Sequence, residues 1–416
     1  MTSSLAEYRT MPNAASARSR RLPLGALAVL ALLGFILVAI ETMPAGLLPD
    51  IADGMGTSEG TVGLFVSAYA MGTMIVTVPA ISLTRRFRRK PLLLLGIAGL
   101  ALGNIVTALS ADIVLSLVSR FVAGSFSGML WGMLAAYALR ISPPERSGVA
   151  LSIMSIGAPL GFAFGTPLGA WIGAATDWRW SFAGFTGLAL VVAALVLLVV
   201  PDASGQPATA QLPLRSVFVL RGVPTVLAVI AVWMLAHSTL YTYIAPYLRA
   251  TGTEISPQLM LLAYGLASLV GVAITGALLD RHPTALLHLS VAAFVVAAAV
   301  LLLASASATA LLIAAALWGI SFGGASAQLQ SALTRAGGTN SDVANSFLPV
   351  AFNLAIFGAG ILGAVLLIPF DGLVLPIAAI ALGLVALLLT FTGRRSAFLR
   401  SAPAPSTALT ATAALP

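Results

Sequence analysis

The sequence predicts an all-α polytopic membrane protein with twelve transmembrane helices in two pseudo-symmetric six-helix bundles. Three observations predict it: apolar runs of bilayer-crossing length, basic residues gathered on one side of them, and a residue pattern that recurs about 195 positions later. Hydrophobic residues make up 59% of the 416 positions and charged residues 8%, with a mean hydropathy of +1.03. A soluble chain carries about a quarter charged residues. Most of this chain therefore has lipid as its solvent.

A helix rises about 1.5 Å per residue, so roughly 20 apolar residues cross ~30 Å of hydrocarbon. Runs of that length fall at about 24–48, 62–83, 91–109, 113–139, 149–174, 180–200, 222–248, 258–279, 284–304, 308–334, 343–369 and 373–393. Between the sixth and seventh lies "PDASGQPATAQLPLRSVFVL" (201–220), rich in Pro, Ser, Ala and Gln, which reads as a linker. The expected organisation is a cytoplasmic tail (1–22), an N-terminal six-helix bundle (23–200), a cytoplasmic linker (201–221), a C-terminal six-helix bundle (222–393) and a second cytoplasmic tail (394–416). The polar, basic first 22 residues precede a full-length span, unlike a cleaved signal.

A net charge of +8 would suggest a nucleic-acid partner if the basic residues formed a soluble patch. Their positions argue otherwise. With the N-terminus inside, 18 of the 21 basic residues fall on the inner side, among them Arg85, Arg86, Arg88, Arg89 and Lys90 in one loop. Only Arg179 and Arg249 fall outside, and Arg120 lies within a span. By the positive-inside rule both termini are cytoplasmic, in a bacterial inner membrane, and the basicity serves topology and not nucleic acid. The chain has no Cys, three His, no His-Glu-x-x-His and no pair of acids within one span. That pattern supports neither an enzyme nor a metal or cofactor site.

The halves repeat in order. Ala68-Tyr69 matches Ala263-Tyr264, Gly124 and Gly128 match Gly319 and Gly323, Arg86 matches Arg281, and Ser147-Gly-Val149-Ala150 matches Ser341-Asp-Val343-Ala344. Such duplication is the mark of transporters whose site lies at the bilayer midplane between repeats. In the fifth span Gly157, Gly161, Gly165, Gly169 and Gly173 stand four apart, with Pro159 and Pro167 among them, a groove expected to pack closely against the other bundle.

An ionised side chain at a helix centre costs about 2.5–3.5 kcal/mol on insertion scales, so the charges inside spans call for a purpose. Glu41 lies eight residues before Pro49, roughly 12 Å below the outer end of its helix. Arg120, eight residues from Asp112, reaches a similar depth. His237, nine residues before Pro246, lies roughly 13 Å down. The three converge near the midplane. Arg120 either relays protons and pairs with Glu41 or substrate, or holds backbone carbonyls; His237 either titrates or packs.

With Glu41 and "GLLPDIA" (46–52), the basic loop 85–90, Arg120-Phe-Val-Ala-Gly124, "GAPLGFAFGTPLG" (157–169), "AHSTLYTYIAPYL" (236–248) and "NSDVANSFLPVAFN" (340–353), the chain resembles the major facilitator superfamily over residues 23–395. Within it the likeness is to the twelve-span drug:proton antiporters, with arabinose-type, sugar-efflux and chloramphenicol-resistance exporters. The resemblance implies export of a small organic molecule in exchange for protons by a monomer. The first, fourth, seventh and tenth spans then line a cavity. Glu41, Arg120 and His237 would couple protons, and Trp131, Tyr137, His237, Tyr241, Tyr243, Trp318 and Asn353 would meet substrate. Arg85, Arg86, Arg89, Gly157, Gly161, Gly165, Pro167, Gly169, Gly276, Asp280 and Arg281 would serve packing and gating. The loop Gly276-Ala-Leu278-Leu-Asp280-Arg281 keeps the family's G-x-L-x-D-R, whereas its first-half counterpart has Ile81 and Arg85 in place of Gly and Asp, which puts a carboxylate latch there in doubt. The expected partners are a small-molecule substrate, protons and the lipid bilayer. A facilitator or proton-coupled importer on the same fold is the rival reading.

Overall fold

A computed structural model of the chain describes residues 21–84, 87–204, 220 and 222–393. The two tails, most of the linker, and Arg85 and Arg86 of the basic loop lie outside the described residues, as do Arg9, Arg18, Arg20, Arg215, Arg221, Arg394, Arg395 and Arg400.

Among the described residues, twelve helices are long and apolar enough to cross a membrane: Leu24–Gly46, Glu59–Thr77, Arg89–Leu109, Ile113–Ile141, Pro144–Ala175, Trp178–Val199, Val223–Thr242, Pro257–Leu278, Pro283–Leu303, Ala308–Gly337, Ala344–Leu366 and Val374–Thr392. These are spans one to twelve. They agree with the apolar runs to within about three residues, apart from the start of span five and the ends of spans two and seven. Leu109, Leu198, Leu303 and Ile368 stand more than three-quarters exposed, the outward apolar surface that a lipid-embedded bundle requires.

The duplication is visible in the packing. In the first half span two packs on four, three on four and six, and one on five and six. In the second half eight packs on ten, nine on ten and twelve, and seven on eleven and twelve. Adding six to each number converts one pattern into the other. The halves meet through two equivalent pairs, span two on eleven and span five on eight.

The recurring glycines mark recurring close approaches. A Cβ on Gly124 would strike the Tyr69 backbone carbonyl, and one on Gly319 would strike that of Tyr264. Gly128 and Gly323 press likewise on Thr73 and Ser268. Tyr69 and Gly124 thus repeat together because they form one contact, used twice.

A further repeat concerns the outer ends of spans one and seven. Span one runs as α-helix over Leu24–Thr42, tightens to a 3₁₀ turn over Met43–Gly46 and resumes as Leu48–Met55, ending on Gly56 at φ +61°. Span seven breaks at Tyr243 and resumes as Ile244–Thr251, ending on Gly252 at φ +67°. Only glycine adopts such a φ without steric cost. The register of these two short helices places Glu41 and His237 at equivalent points of the two halves.

Span five is interrupted too. Helix over Ser147–Ser155 and Gly157–Leu160 passes into a π-turn over Gly161–Gly165 and back to α-helix over Thr166–Ala175. Pro167 has no N–H to give the Ala163 carbonyl, and the widened turn just before it accommodates that loss.

Hydrogen bonds and an ion pair fasten the two halves to each other along one seam. Arg249 pairs with Glu59 at 2.6 Å, Ser67 donates to the Phe357 carbonyl at 2.8 Å, and Gln258 donates to the Ala170 carbonyl at 3.2 Å. Tyr243 donates to the Gly360 carbonyl of its own half at 2.5 Å, and its hydroxyl reaches across the seam to within 3.3 Å of the Gly60 carbonyl. Its ring fills space that a Cβ on Gly63 or Gly363 would claim. The loops of the other face carry the basic residues. There Arg88 pairs with Asp202 at 2.6 Å, Lys90 donates its N–H to Asp202 at 3.1 Å, and Arg140 donates to the Ser204 carbonyl at 2.6 Å. These contacts bind the start of the linker to the first half. Slight burial acts upward on Asp202, but the Lys90 and Ala203 amides and the Arg88 guanidinium prevail and hold its carboxyl below the usual range.

Two predictions follow from packing alone. Gly124→Ala costs roughly 1–3 kcal/mol, because the obstacle is backbone, and lowers the melting temperature in detergent; Gly148→Ala, with nothing within 4 Å, does not lower it. Tyr243→Phe removes the 3.3 Å approach to the Gly60 carbonyl across the seam and shifts the population toward seam-open forms by about two- to threefold. The chain has no native Cys, so spin labels at Thr57→Cys and Thr251→Cys read that shift as a longer distance.

Candidate functional site

The site begins with a proline. Pro44 has no N–H, so the Ile40 carbonyl one turn earlier loses its helical partner. Arg120 supplies another. Its Nη2 donates to the Ile40 carbonyl at 3.0 Å and to that of Glu41 at 3.4 Å, and its Nε reaches the Phe65 carbonyl at 3.5 Å. The guanidinium carbon lies 4.6 Å from the Tyr69 ring centroid and 5.7 Å from that of Phe182. Carbonyl dipoles and aromatic faces thus offset the cost of a cation with no solvent exposure. Of the two roles open to Arg120, the geometry displays backbone support. No ion pair between it and the Glu41 carboxylate occurs among the described residues.

Arg120 therefore fixes the end of the helix that carries Glu41. Residues 36–40 and 43–48 are buried, whereas Glu41 and Thr42 between them are only half-buried. Span one is packed by spans five and six of its own half, and Thr42 of this window meets Thr166 of span five. One carboxylate oxygen, Oε1, is buried without a hydrogen-bond partner. Thr42 donates to the Val38 carbonyl at 2.7 Å and stands 2.6 Å from the Thr166 hydroxyl.

His237, on span seven, occupies the equivalent point but a different environment. It is 1% exposed. Its Nδ1 accepts from the Trp318 indole N–H at 3.0 Å. Indole N–H is a donor only, so the neutral ring carries its proton on Nε2. The imidazole stacks on Phe322 at 3.5 Å and 4° and is ringed by Tyr241, Tyr264 and Trp318, with centroids 5.5–5.7 Å away. A proton added at Nδ1 would set donor against donor. Of the two roles open to His237, this arrangement displays packing. Tyr241 links the two regions: its ring touches the His237 shell and Phe162 of span five, and its hydroxyl faces Thr42 and Thr166.

The remaining expected residues scatter. Trp131 is half-buried and approaches Gly34 of span one. Tyr137 is not placed at the level of Glu41: it donates to the Pro201 carbonyl at 2.9 Å, about 25 Å along the helix from Arg120, and holds the linker. Tyr243 is committed to the seam and Trp318 to His237. Asn353 spends its amide on the Pro349 carbonyl of its own helix at 2.9 Å.

Span five corrects a packing expectation. Its glycine groove faces span one of the same half and not the other bundle. Gly157 abuts the Ala31 carbonyl, Gly161 meets Phe35 and Val38, Gly165 meets Ala39, Gly169 meets Met43 and Gly173 meets Leu47. The cross-half approach uses another face, where Gly265 of span eight lies on Ala163 and Phe162. Pro167 is buried beside Thr166. Arg89 is buried and donates its N–H to the Ala203 carbonyl at 2.9 Å. Gly276, Asp280 and Arg281 are exposed, and neither charged residue forms an ion pair among the described residues. The carboxylate missing from the first-half loop is supplied from outside it, by Asp202.

Thr42, Phe322 and Asp202 were not singled out in the sequence. Thr166 carried a signal, since it separates Gly165 from Pro167 where the antiporters that the chain resembles read Gly-Pro, and Tyr264 carried one in its match to Tyr69.

The Arg120 account yields a cycle. Arg120→Met strands the Ile40 carbonyl and costs roughly 1–3 kcal/mol in unfolding measurements. Pro44→Ala restores an N–H at that point, so the double variant regains part of the loss and the two effects are not additive.

The profile of the Major Facilitator Superfamily matches residues 30–359. A chloramphenicol efflux pump of Mycobacterium tuberculosis (strain ATCC 25618 / H37Rv) is 32% identical over 358 residues, covering 82% of this chain and 85% of that one. A "probable sugar efflux transporter" of Helicobacter pylori (strain ATCC 700392 / 26695) is 27% identical over 351 residues, covering 82% and 87%. Among solved structures, a bacterial homolog of the human lysosomal transporter Spinster, inward-facing and unoccupied, superposes with a TM-score of 0.67 at 16% identity, covering 95% of this chain and 100% of that one. With twelve spans, a twofold packing pattern and this family match, the chain belongs to the Major Facilitator Superfamily of multi-pass membrane transporters and is not an enzyme.

Proposed function

We propose that this transporter exports a small organic molecule in exchange for protons, with Glu41 as the group that loads and releases the proton. The observation that carries the reading is the half-buried Glu41, set in a fully buried stretch of span one with one oxygen unpartnered and, among the described residues, no ion pair on its carboxylate. A carboxylate held that way is neither a satisfied core residue nor a solvated surface charge. Its charge state is free to follow whichever side the cavity opens to.

Alternating access suits the seam. Glu59, Arg249, Tyr243 and Ser67 close one face by contacts that a rocking motion of one half on the other would break. Basic loops on the opposite face favour placing that face, and both termini, in the cytoplasm of a bacterial inner membrane. The proposed units are bundles of residues 23–200 and 222–393 joined by the cytoplasmic linker 201–221, working as a monomer. Relatives named for sugar efflux and for chloramphenicol efflux support a drug, an antibiotic or a sugar-like compound as substrate.

The test uses purified protein in proteoliposomes with labelled chloramphenicol and labelled isopropyl thiogalactoside. In the unsubstituted chain an imposed proton gradient drives accumulation of one or both. Glu41→Gln abolishes the gradient-driven component, by at least tenfold, and leaves exchange at equilibrium intact. Gradient-driven accumulation that survives the substitution removes Glu41 from the role.

A further inference from the structure

The inner halves of spans four and ten are alike in packing and unlike in chemistry. Span four packs on spans one, two, three and five, and span ten on spans seven, eight, nine and eleven, the same set with six added. Burial repeats at the offset of 195. Met133, Leu134 and Ala138 are buried, as are Gln328, Leu329 and Leu333. The uncovered face repeats with them: half-buried Trp131 with exposed Ala135 and Leu139 on span four, and exposed Ser326, Gln330 and Thr334 on span ten. Residues four apart share one side of a helix. That side is apolar in the first half and polar in the second.

Such a face meets either lipid or the space between the halves, and depth decides which. Gln328, between Ser326 and Gln330, is 2% exposed and donates to the hydroxyls of Thr275 and Ser290 at 3.0 and 3.1 Å. Ser290 lies seven residues inside span nine, which starts at Pro283, or roughly 10 Å along it. Ser326 and Gln330 stand about 3 Å to either side of Gln328 along their own helix. At that depth an amide turned to hydrocarbon would have no partner for its N–H groups or its carbonyl. The lipid face at this level carries Leu289, which is 67% exposed. Ser326 and Gln330 therefore face water, and water at that depth lies between the halves. The twofold pattern turns the equivalent face of span four to the same space. Trp131 agrees with that direction, since a Cβ on Gly34 of span one would touch both its ring and Gly157 of span five.

We propose that Ser326 and Gln330, opposite Trp131 and Ala135, line a two-sided entrance that admits an uncharged molecule with hydrogen-bonding groups along one side and an apolar surface along the other. The proposal rests on the reading of the chain as a transporter whose substrate passes between the halves. It adds the class of molecule and the residues that select it. A hydroxyl and an amide both give and accept hydrogen bonds, so Ser326 and Gln330 serve ligand hydroxyls and amides alike. Ala135 and Leu139 return only apolar surface. Neither face carries a charge along this stretch, and the guanidinium groups that follow on the two helices are engaged: Arg335 donates to Ser331 at 2.7 Å and Arg140 to the Ser204 carbonyl. An ion entering here would surrender hydration without meeting a counter-charge.

The absence of native Cys allows a direct test on the full-length chain. Ser326→Cys, Gln330→Cys and Ala135→Cys, with Leu289→Cys as the lipid-facing control at the same depth, are made singly and exposed in inside-out vesicles to a charged, membrane-impermeant methanethiosulfonate. The first three are expected to react at least tenfold faster than the control. Excess isopropyl thiogalactoside or chloramphenicol is expected to slow the reaction of Gln330→Cys at least threefold. Ser326→Cys and Gln330→Cys reacting no faster than the control would put the polar face in lipid and overturn the entrance, and labelling that neither probe slows would overturn selection by it. In equilibrium dialysis without a gradient, Gln330→Leu, which keeps the volume and loses the amide, weakens binding of the protecting probe by roughly three- to tenfold, with the melting temperature unchanged. Gln330→Asn, which keeps the amide, retains most of the binding. Undiminished binding in Gln330→Leu would also overturn the selecting role. Failure of the export reading shows separately, as water-accessible, probe-protected cysteines in a protein whose transport ignores a proton gradient.

Discussion

Everything at the centre of this protein leans on one hydrogen bond, from the Arg120 guanidinium to the Ile40 carbonyl at 3.0 Å. Pro44 frees that carbonyl, and in a bilayer core a freed backbone group has no water to turn to. By answering it, Arg120 lets span one stop being a regular helix at the one level where Glu41 faces inward. The same cation holds spans one, two and four together, through the Ile40 and Phe65 carbonyls and the Tyr69 ring. An apolar side chain there could fill the volume but could not satisfy the carbonyl.

The twofold pattern of packing makes the unequal chemistry of the halves informative. Glu41 and His237 occupy equivalent points, and span one packs on five as span seven packs on eleven. One point holds a carboxylate beside open space. The other holds an imidazole sealed by Trp318, Phe322, Tyr241 and Tyr264. In the proposed cycle the first half exchanges the proton, while the second presents an aromatic wall. Tyr241 is where they meet, with its ring in the wall and its hydroxyl at the threonine pair.

The fold was legible because its causes are additive along the chain. Length, hydropathy and a repeat of 195 residues do not depend on which helix touches which. Small residues four apart in span five announced a groove but not its partner, because a groove of that kind fits any helix, and the neighbour proved to be span one. Intramembrane aromatics were equally ambiguous. Tyr137 and Tyr243 carry the same side chain, yet one ties down the linker and the other joins spans seven and eleven beside the seam, and only the carbonyls that accept their protons tell them apart. Thr42 looked like an ordinary small polar residue, and Thr166 like no more than an interruption between Gly165 and Pro167, because their meaning lies in a contact across 124 positions. Asp202 escaped for the same reason, since the loop it serves begins more than a hundred residues earlier.

Whether Glu41 changes its charge is the claim on which the transport account turns. Infrared difference spectroscopy of the purified chain, recorded as pH is varied and compared with Glu41→Gln, reads that charge directly. The account predicts a protonated carboxyl band that gives way to a carboxylate band within the range where transport operates, with both signals absent from the variant. A carboxylate band that persists unchanged across that range would contradict it.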